Sequence, residues 1–181
     1  MSKELIKEKL NKFGSSKEPF LFILSYDLSK FYIQKLSLLP SSIKFEFDSK
    51  EIKNLKHKTS LEKFPIDFDK YKIKFDLLQE EIKSGNSYLC NLTAKTKIKT
   101  SFTLDEIYEN VHAKFKLRFQ NANDNFVCFS PERFVEIKDN KIFTYPMKGT
   151  IDNSIKNAQE LILNDKKEMA EHTMVVDLLR N

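Results

Sequence analysis

The sequence predicts an α+β fold, mostly antiparallel sheet with flanking helices, and three observations carry that reading. Apolar residues recur at helical spacing in Phe68, Tyr71, Phe75, Leu78 and Ile82. They alternate strictly in Ile43-Lys44-Phe45-Glu46-Phe47, the pattern of a half-buried strand. The order of such segments is helix, strands, helix, strands, helix, with hairpins in place of regular βαβ units.

Taken in order, Leu5, Ile6 and Leu10 mark a short amphipathic helix over 3–13. Pro19-Phe20-Leu21-Phe22-Ile23-Leu24 is a continuous apolar run and reads as a buried strand, followed by the alternating strand at 43–47. The polar, lysine-rich stretch 48–65 ends at Pro65 and reads as a loop. The helix from Phe68 to Ile82 is closed by Gly85 as its C-terminal cap. Ser87–Thr93 then reads as a strand with Tyr88, Cys90 and Leu92 on one face. A helix follows over 104–115, capped by Thr103 with Glu106 at the capping-box position. Strands are expected at 126–129, 133–137 and 141–145, and helices at 154–163 and 166–180. The division at Pro65 separates N-terminal strands and a loop, 1–65, from the remainder, 66–181.

Composition narrows the function classes. The 181 residues carry 31 Lys+Arg against 26 Asp+Glu, a net charge of +5, and 40% hydrophobic residues, which is a globular composition. No apolar run approaches the roughly 18 residues of a membrane span. The charged N-terminus MSKELIKEKLNKFG lacks the apolar core of an export signal, so the expected compartment is a reducing cytoplasm. Two cysteines are too few for a disulfide framework or a cysteine zinc site. Three glycines, none in a GxGxxG or GxxxxGK[ST] pattern, argue against a nucleotide-phosphate cradle. The basic charge is nearly all lysine and interleaved with acids, as in EIKNLKHKTSLEK (51–63), which reads as a solvated surface and not a nucleic-acid footprint.

The densest polar set among apolar neighbours lies in Ser130-Pro131-Glu132-Arg133-Phe134 and Tyr145-Pro146-Met147-Lys148-Gly149-Thr150. Two strands join these motifs through the turn-prone pair Asp139-Asn140. A two-residue loop would set Glu132 opposite Met147; a three-residue loop over 139–141 would set it opposite Lys148. The second register also aligns Val135 with Tyr145 and Ile137 with Phe143, and is the one expected. An acid beside an amine is either a cross-strand salt bridge or a catalytic pair, with Lys148 as nucleophile and Glu132 as proton donor. Lowering a lysine from about 10.4 to near 7.5 costs about 4 kcal/mol, which partial burial can supply. Gly149, directly after the lysine, would let a substrate approach the backbone.

These motifs, with Ala-Glu-His-Thr-Met-Val-Val-Asp-Leu-Leu-Arg-Asn (170–181) and Ser-Tyr-Leu-Cys-Asn-Leu-Thr (87–93), resemble the chorismate-utilising enzymes, most closely their aminodeoxychorismate-forming component I branch. The resemblance is strong over 68–181 and weak over 19–47. It implies that 66–181 is the N-terminal portion of the chorismate-binding catalytic domain. It implies a transferase that aminates chorismate at C4 in para-aminobenzoate and folate biosynthesis, with ammonia from a glutamine amidotransferase partner. Lys148 would attack C2 as the C4 hydroxyl leaves, Glu132 would assist that departure, Gly149 and Thr150 would contact substrate, and Glu171 would bind Mg²⁺. Asp177 and Arg180 are expected to hold helix and loop together, with His172 a bystander. The family continues past the point where this sequence stops, so an incomplete enzyme, with little or no activity from the 181 residues alone, is the expectation. An isochorismate-, salicylate- or anthranilate-forming homologue, or a noncatalytic binding module, are the alternative readings.

Overall fold

The computed structural model describes residues 3–49, 60–147 and 149–180. They fall into two compact units, one drawn from 1–51 and 111–181 and the other from 52–110. The architecture is α+β, and every strand pairing among the described residues is antiparallel.

In the first unit, helix α1 (Lys3–Ser15) buries Ile6. Its Phe13 ring meets Phe20 at 5.3 Å, seating the helix on the hairpin of β1 (Phe20–Leu24) and β2 (Phe31–Lys35). The apolar run 19–24 is therefore a strand, but half-buried: Phe22 is 50% exposed, because a two-stranded sheet covers little of either face. The turn between the strands is fixed by Asp27, whose carboxylate accepts from the hydroxyls of Ser25 and Ser29 and from the Ser29 amide. Those bonds to the charged form hold its pKa down at about 2.

A second sheet has the order β3 (Lys44–Phe47), β6 (Phe115–Gln120), β7 (Asn125–Ser130). Phe119 of β6 is buried between Tyr32, edge-on at 5.1 Å, and Phe126, stacked at 5.1 Å, and so links this sheet to β1–β2. The other face of β6 buries Lys116 and Arg118. A buried guanidinium needs its donors satisfied. Arg118 donates to Asn125 Oδ1 at 2.7 Å, to Gln120 Oε1 at 3.1 Å and to the Phe119 carbonyl at 2.9 Å. Strand β6 departs from the sequence reading, in which a helix continued to Phe115: that helix stops at Asn110 and the chain goes over to a ladder.

Strands β8 (Glu136–Lys138) and β9 (Lys141–Phe143) form a separate hairpin. Helices α4 (Ala158–Leu163) and α5 (Lys166–Arg180) follow. Asp165 opens α5 by accepting from the amides of Lys167 at 2.9 Å and Glu168 at 3.0 Å, which satisfies donors that have no partner within the first helical turn.

The second unit contains β4 (Leu61–Phe64) paired with β5 (Lys97–Thr100), α2 (Phe68–Lys83) and α3 (Leu104–Asn110). Helix α2 starts on the Asp67 carboxylate and ends in a Schellman motif. There Gly85, at φ +76°, donates to Ile82 O at 3.0 Å, and Asn86 donates to Glu81 O at 3.0 Å. The capping box of α3 forms as expected: Glu106 N donates to Thr103 Oγ1 at 3.2 Å, and Thr103 N to Glu106 Oε2 at 2.8 Å. Two expectations change. The stretch 48–65 contains strand β4, while 50–59 lie outside the described residues. Residues 87–93 form no strand; Ser87 Oγ instead bonds locally to Leu89 O at 3.2 Å. Alternation supplies a face, but a strand also needs a ladder partner, and Tyr88 is 84% exposed.

Candidate active site

The β8–β9 register decides how the two polar motifs meet. Glu136 pairs with Phe143, Ile137 with Ile142 and Lys138 with Lys141, joined by the two-residue turn Asp139-Asn140. Both turn residues lie in the left-handed region, at φ 51° and 57°. This is the type I′ geometry, whose twist matches that of the flanking strands. The expected three-residue loop is therefore wrong. The turn's preference overrides the apolar alignment of Val135 and Ile137, and Glu132 falls level with Met147 instead of Lys148. Its Oε1 accepts from the Met147 amide at 3.0 Å. Lys148 lies outside the described residues.

Beyond Glu136–Phe143 the backbone ladder stops. Side chains take over. Ser130 Oγ accepts from the Glu132 amide at 3.1 Å and donates to the Glu132 carbonyl at 2.9 Å, fixing that turn. Arg133 Nη1 bonds to Glu136 Oε2, which also accepts from the Tyr145 hydroxyl at 3.1 Å. The guanidinium carbon lies 5.6 Å from the Tyr145 ring centre and 5.7 Å from that of Phe115, a double cation–π arrangement. Desolvation, and then the bond to the Glu136 carboxylate, push the Tyr145 hydroxyl above its ordinary pKa. The sequence reading passed over this cluster. Its one visible signal was the three-residue spacing of Arg133 and Glu136.

A cavity of about 310 Å³ opens here, lined by Ser130, Glu132, Arg133, Phe134, Pro146, Val175 and Leu179. That volume is at the small end of small-molecule sites, about 300–1,000 Å³. Gly149 has φ +81° and approaches Ile162 of α4 and Glu168 of α5 so closely that a Cβ would meet Ile162 Cδ1 at 3.0 Å. Thr150 is exposed.

On α5, Glu168 and Glu171 share one face, as their spacing required. Both carboxylates reach the Lys167 ammonium, at 3.6 Å and 3.3 Å. Glu171 first, by hydrogen bond and charge, and then Glu168 raise the lysine's pKa. Two carboxylates converging on one cation fit Mg²⁺, which takes one or two protein carboxylates and completes its shell with water and substrate oxygens. Among the described residues no cluster of three or more His, Cys, Asp or Glu could hold a metal unaided. Arg180 and Asp177 pair with each other within α5 at 2.7 Å. Among the described residues no helix is long and apolar enough to cross a membrane.

Residues 33–181 match the chorismate binding enzyme family. An uncharacterised PabA-like protein of Pasteurella multocida is 38% identical over all of this chain and 57% of its own length. One from Haemophilus influenzae is 39% identical over 96% of this chain and 53% of its own. The chain thus spans little more than half the length of these relatives. Aminodeoxychorismate synthase component 1 of Escherichia coli is 30% identical over 62% of this chain and 27% of its own length. No solved structure matches.

Proposed function

Since the chain belongs to the chorismate-binding enzyme family, we propose that this protein aminates chorismate at C4 to 4-amino-4-deoxychorismate. The reaction would run in the cytoplasm, on the route to para-aminobenzoate and folate, with ammonia supplied by a glutamine amidotransferase partner. The observation that supports this reading is the Glu132 carboxylate. It lines a cavity of small-molecule size and is tied to the amide of Met147, the residue directly before Lys148-Gly149-Thr150.

In the proposed sequence the Lys148 amine forms a bond to C2, the ring double bonds shift, and the C4–O bond breaks. Glu132 donates the proton that lets hydroxide leave as water, a poor leaving group made a good one. Ammonia then adds at C4, the double bonds shift back, and the C2–N bond breaks to return the lysine amine. The surplus proton on the new amine passes to the Glu132 carboxylate and restores the acid. Glu171, with Glu168 beside it, would hold Mg²⁺, whose charge offsets a chorismate carboxylate and fixes the ring. Gly149 leaves the backbone accessible there, and Thr150 would contact substrate.

The test is Lys148→Ala in protein expressed from its whole reading frame, supplied with chorismate, Mg²⁺ and ammonium. Formation of 4-amino-4-deoxychorismate should fall by about 10³-fold or more with the far-UV dichroism unchanged. Undiminished product, or isochorismate as the wild-type product, would overturn the assignment.

A further inference from the structure

Resting on that reading of Glu132, we propose that Arg133, Glu136 and Tyr145 form a positioning clamp that sets the aim of the Glu132 carboxyl. Glu132 sits on one chain segment and its anchor, the Met147 amide, on another. Both segments lie past the end of the β8–β9 ladder, so among the described residues no ladder bond holds them together there. The last ladder pair is Glu136–Phe143. Among the described residues, the hydrogen bond that runs from one segment to the other between that pair and Glu132 is the Tyr145 hydroxyl on the Glu136 carboxylate, which Arg133 also grips.

Arg133 is the residue after Glu132, and Tyr145 stands two before Met147. A displacement of either therefore passes directly into the Glu132–Met147 contact. The guanidinium has little freedom: Glu136 bonds its Nη1, while Phe115 and Tyr145 stand 5.7 Å and 5.6 Å from its centre. Phe115 begins β6, the central strand of the three-stranded sheet, so the clamp refers the site to the most buried part of this unit. Lysine cannot replace this arginine, because an ammonium lacks the planar fork that both stacks and pairs.

Two variants test it in protein from the whole reading frame: Tyr145→Phe, which removes one oxygen, and Arg133→Lys, which keeps the charge. The direct readout is hydrogen exchange of the Met147 amide by ¹⁵N NMR. It should quicken by about tenfold in Tyr145→Phe, while the amides of the β6–β7 ladder keep their wild-type rates. In turnover, kcat should fall by about 10- to 100-fold with KM within about twofold, the pattern of a misplaced group rather than lost binding. Arg133→Lys should not rescue. Unchanged Met147 exchange in Tyr145→Phe overturns the clamp, even if Arg133→Lys fails to fold. Quickened Met147 exchange in Tyr145→Phe, together with a wild-type protein that never turns over chorismate, leaves the clamp standing and overturns the proposed function instead.

Discussion

At Gly149 the backbone holds φ +81°, and an added Cβ would come within 3.0 Å of Ile162 Cδ1 and 3.2 Å of Glu168 Oε2. The sequence singles this glycine out as a place where substrate could approach the chain. The structure adds that the helical segments following the motif press against it, a contact no local spacing reveals. Gly149→Ala should therefore cost about 1–3 kcal/mol, from the left-handed backbone and the crowding together, read as a lower midpoint in urea. A loss under about 0.5 kcal/mol would mean that α4 and α5 yield easily. Glu132 was legible as a candidate from its motif. Arg133, the residue after it, was not, because its neighbours Phe115 and Tyr145 stand 18 and 12 positions away in the sequence.

Elements with chemical punctuation were read well and those without it poorly. Helix α2 was placed by its apolar spacing and Gly85, and the start of α3 by the Thr103–Glu106 capping box. Strand β6 was missed although Phe115, Leu117 and Phe119 alternate, since the preceding helical pattern ran into them without a glycine or proline to stop it. The β8–β9 register failed for another reason. Side-chain alternation favours one register, whereas two left-handed residues fix a two-residue loop whatever the faces prefer. Asn140→Gly should accordingly stabilise the hairpin by a few tenths to about 1 kcal/mol, since glycine adopts positive φ without steric cost. A raised thermal midpoint checks this; a lowered one would speak for the three-residue loop.

Over the molecule as a whole, few large side chains are well covered among the described residues, and none is fully buried. Periodicity shows which face of a segment is apolar, not what will cover it, which is why Ser87–Thr93 looked like a strand and pairs with nothing among the described residues. Ile137 and Ile142, opposite one another on β8–β9, stay 73% and 70% exposed, and Phe68 on α2 71%. The 181-residue chain should therefore bind a hydrophobic dye such as ANS at neutral pH, with a several-fold rise in fluorescence. No rise would mean those faces are covered in solution. Such bare strands invite annealing to other chains, yet the mouth of the Glu132 cavity is spared. With Pro131 and Pro146 flanking it, an intruding segment finds no donor at those positions and zippering halts there.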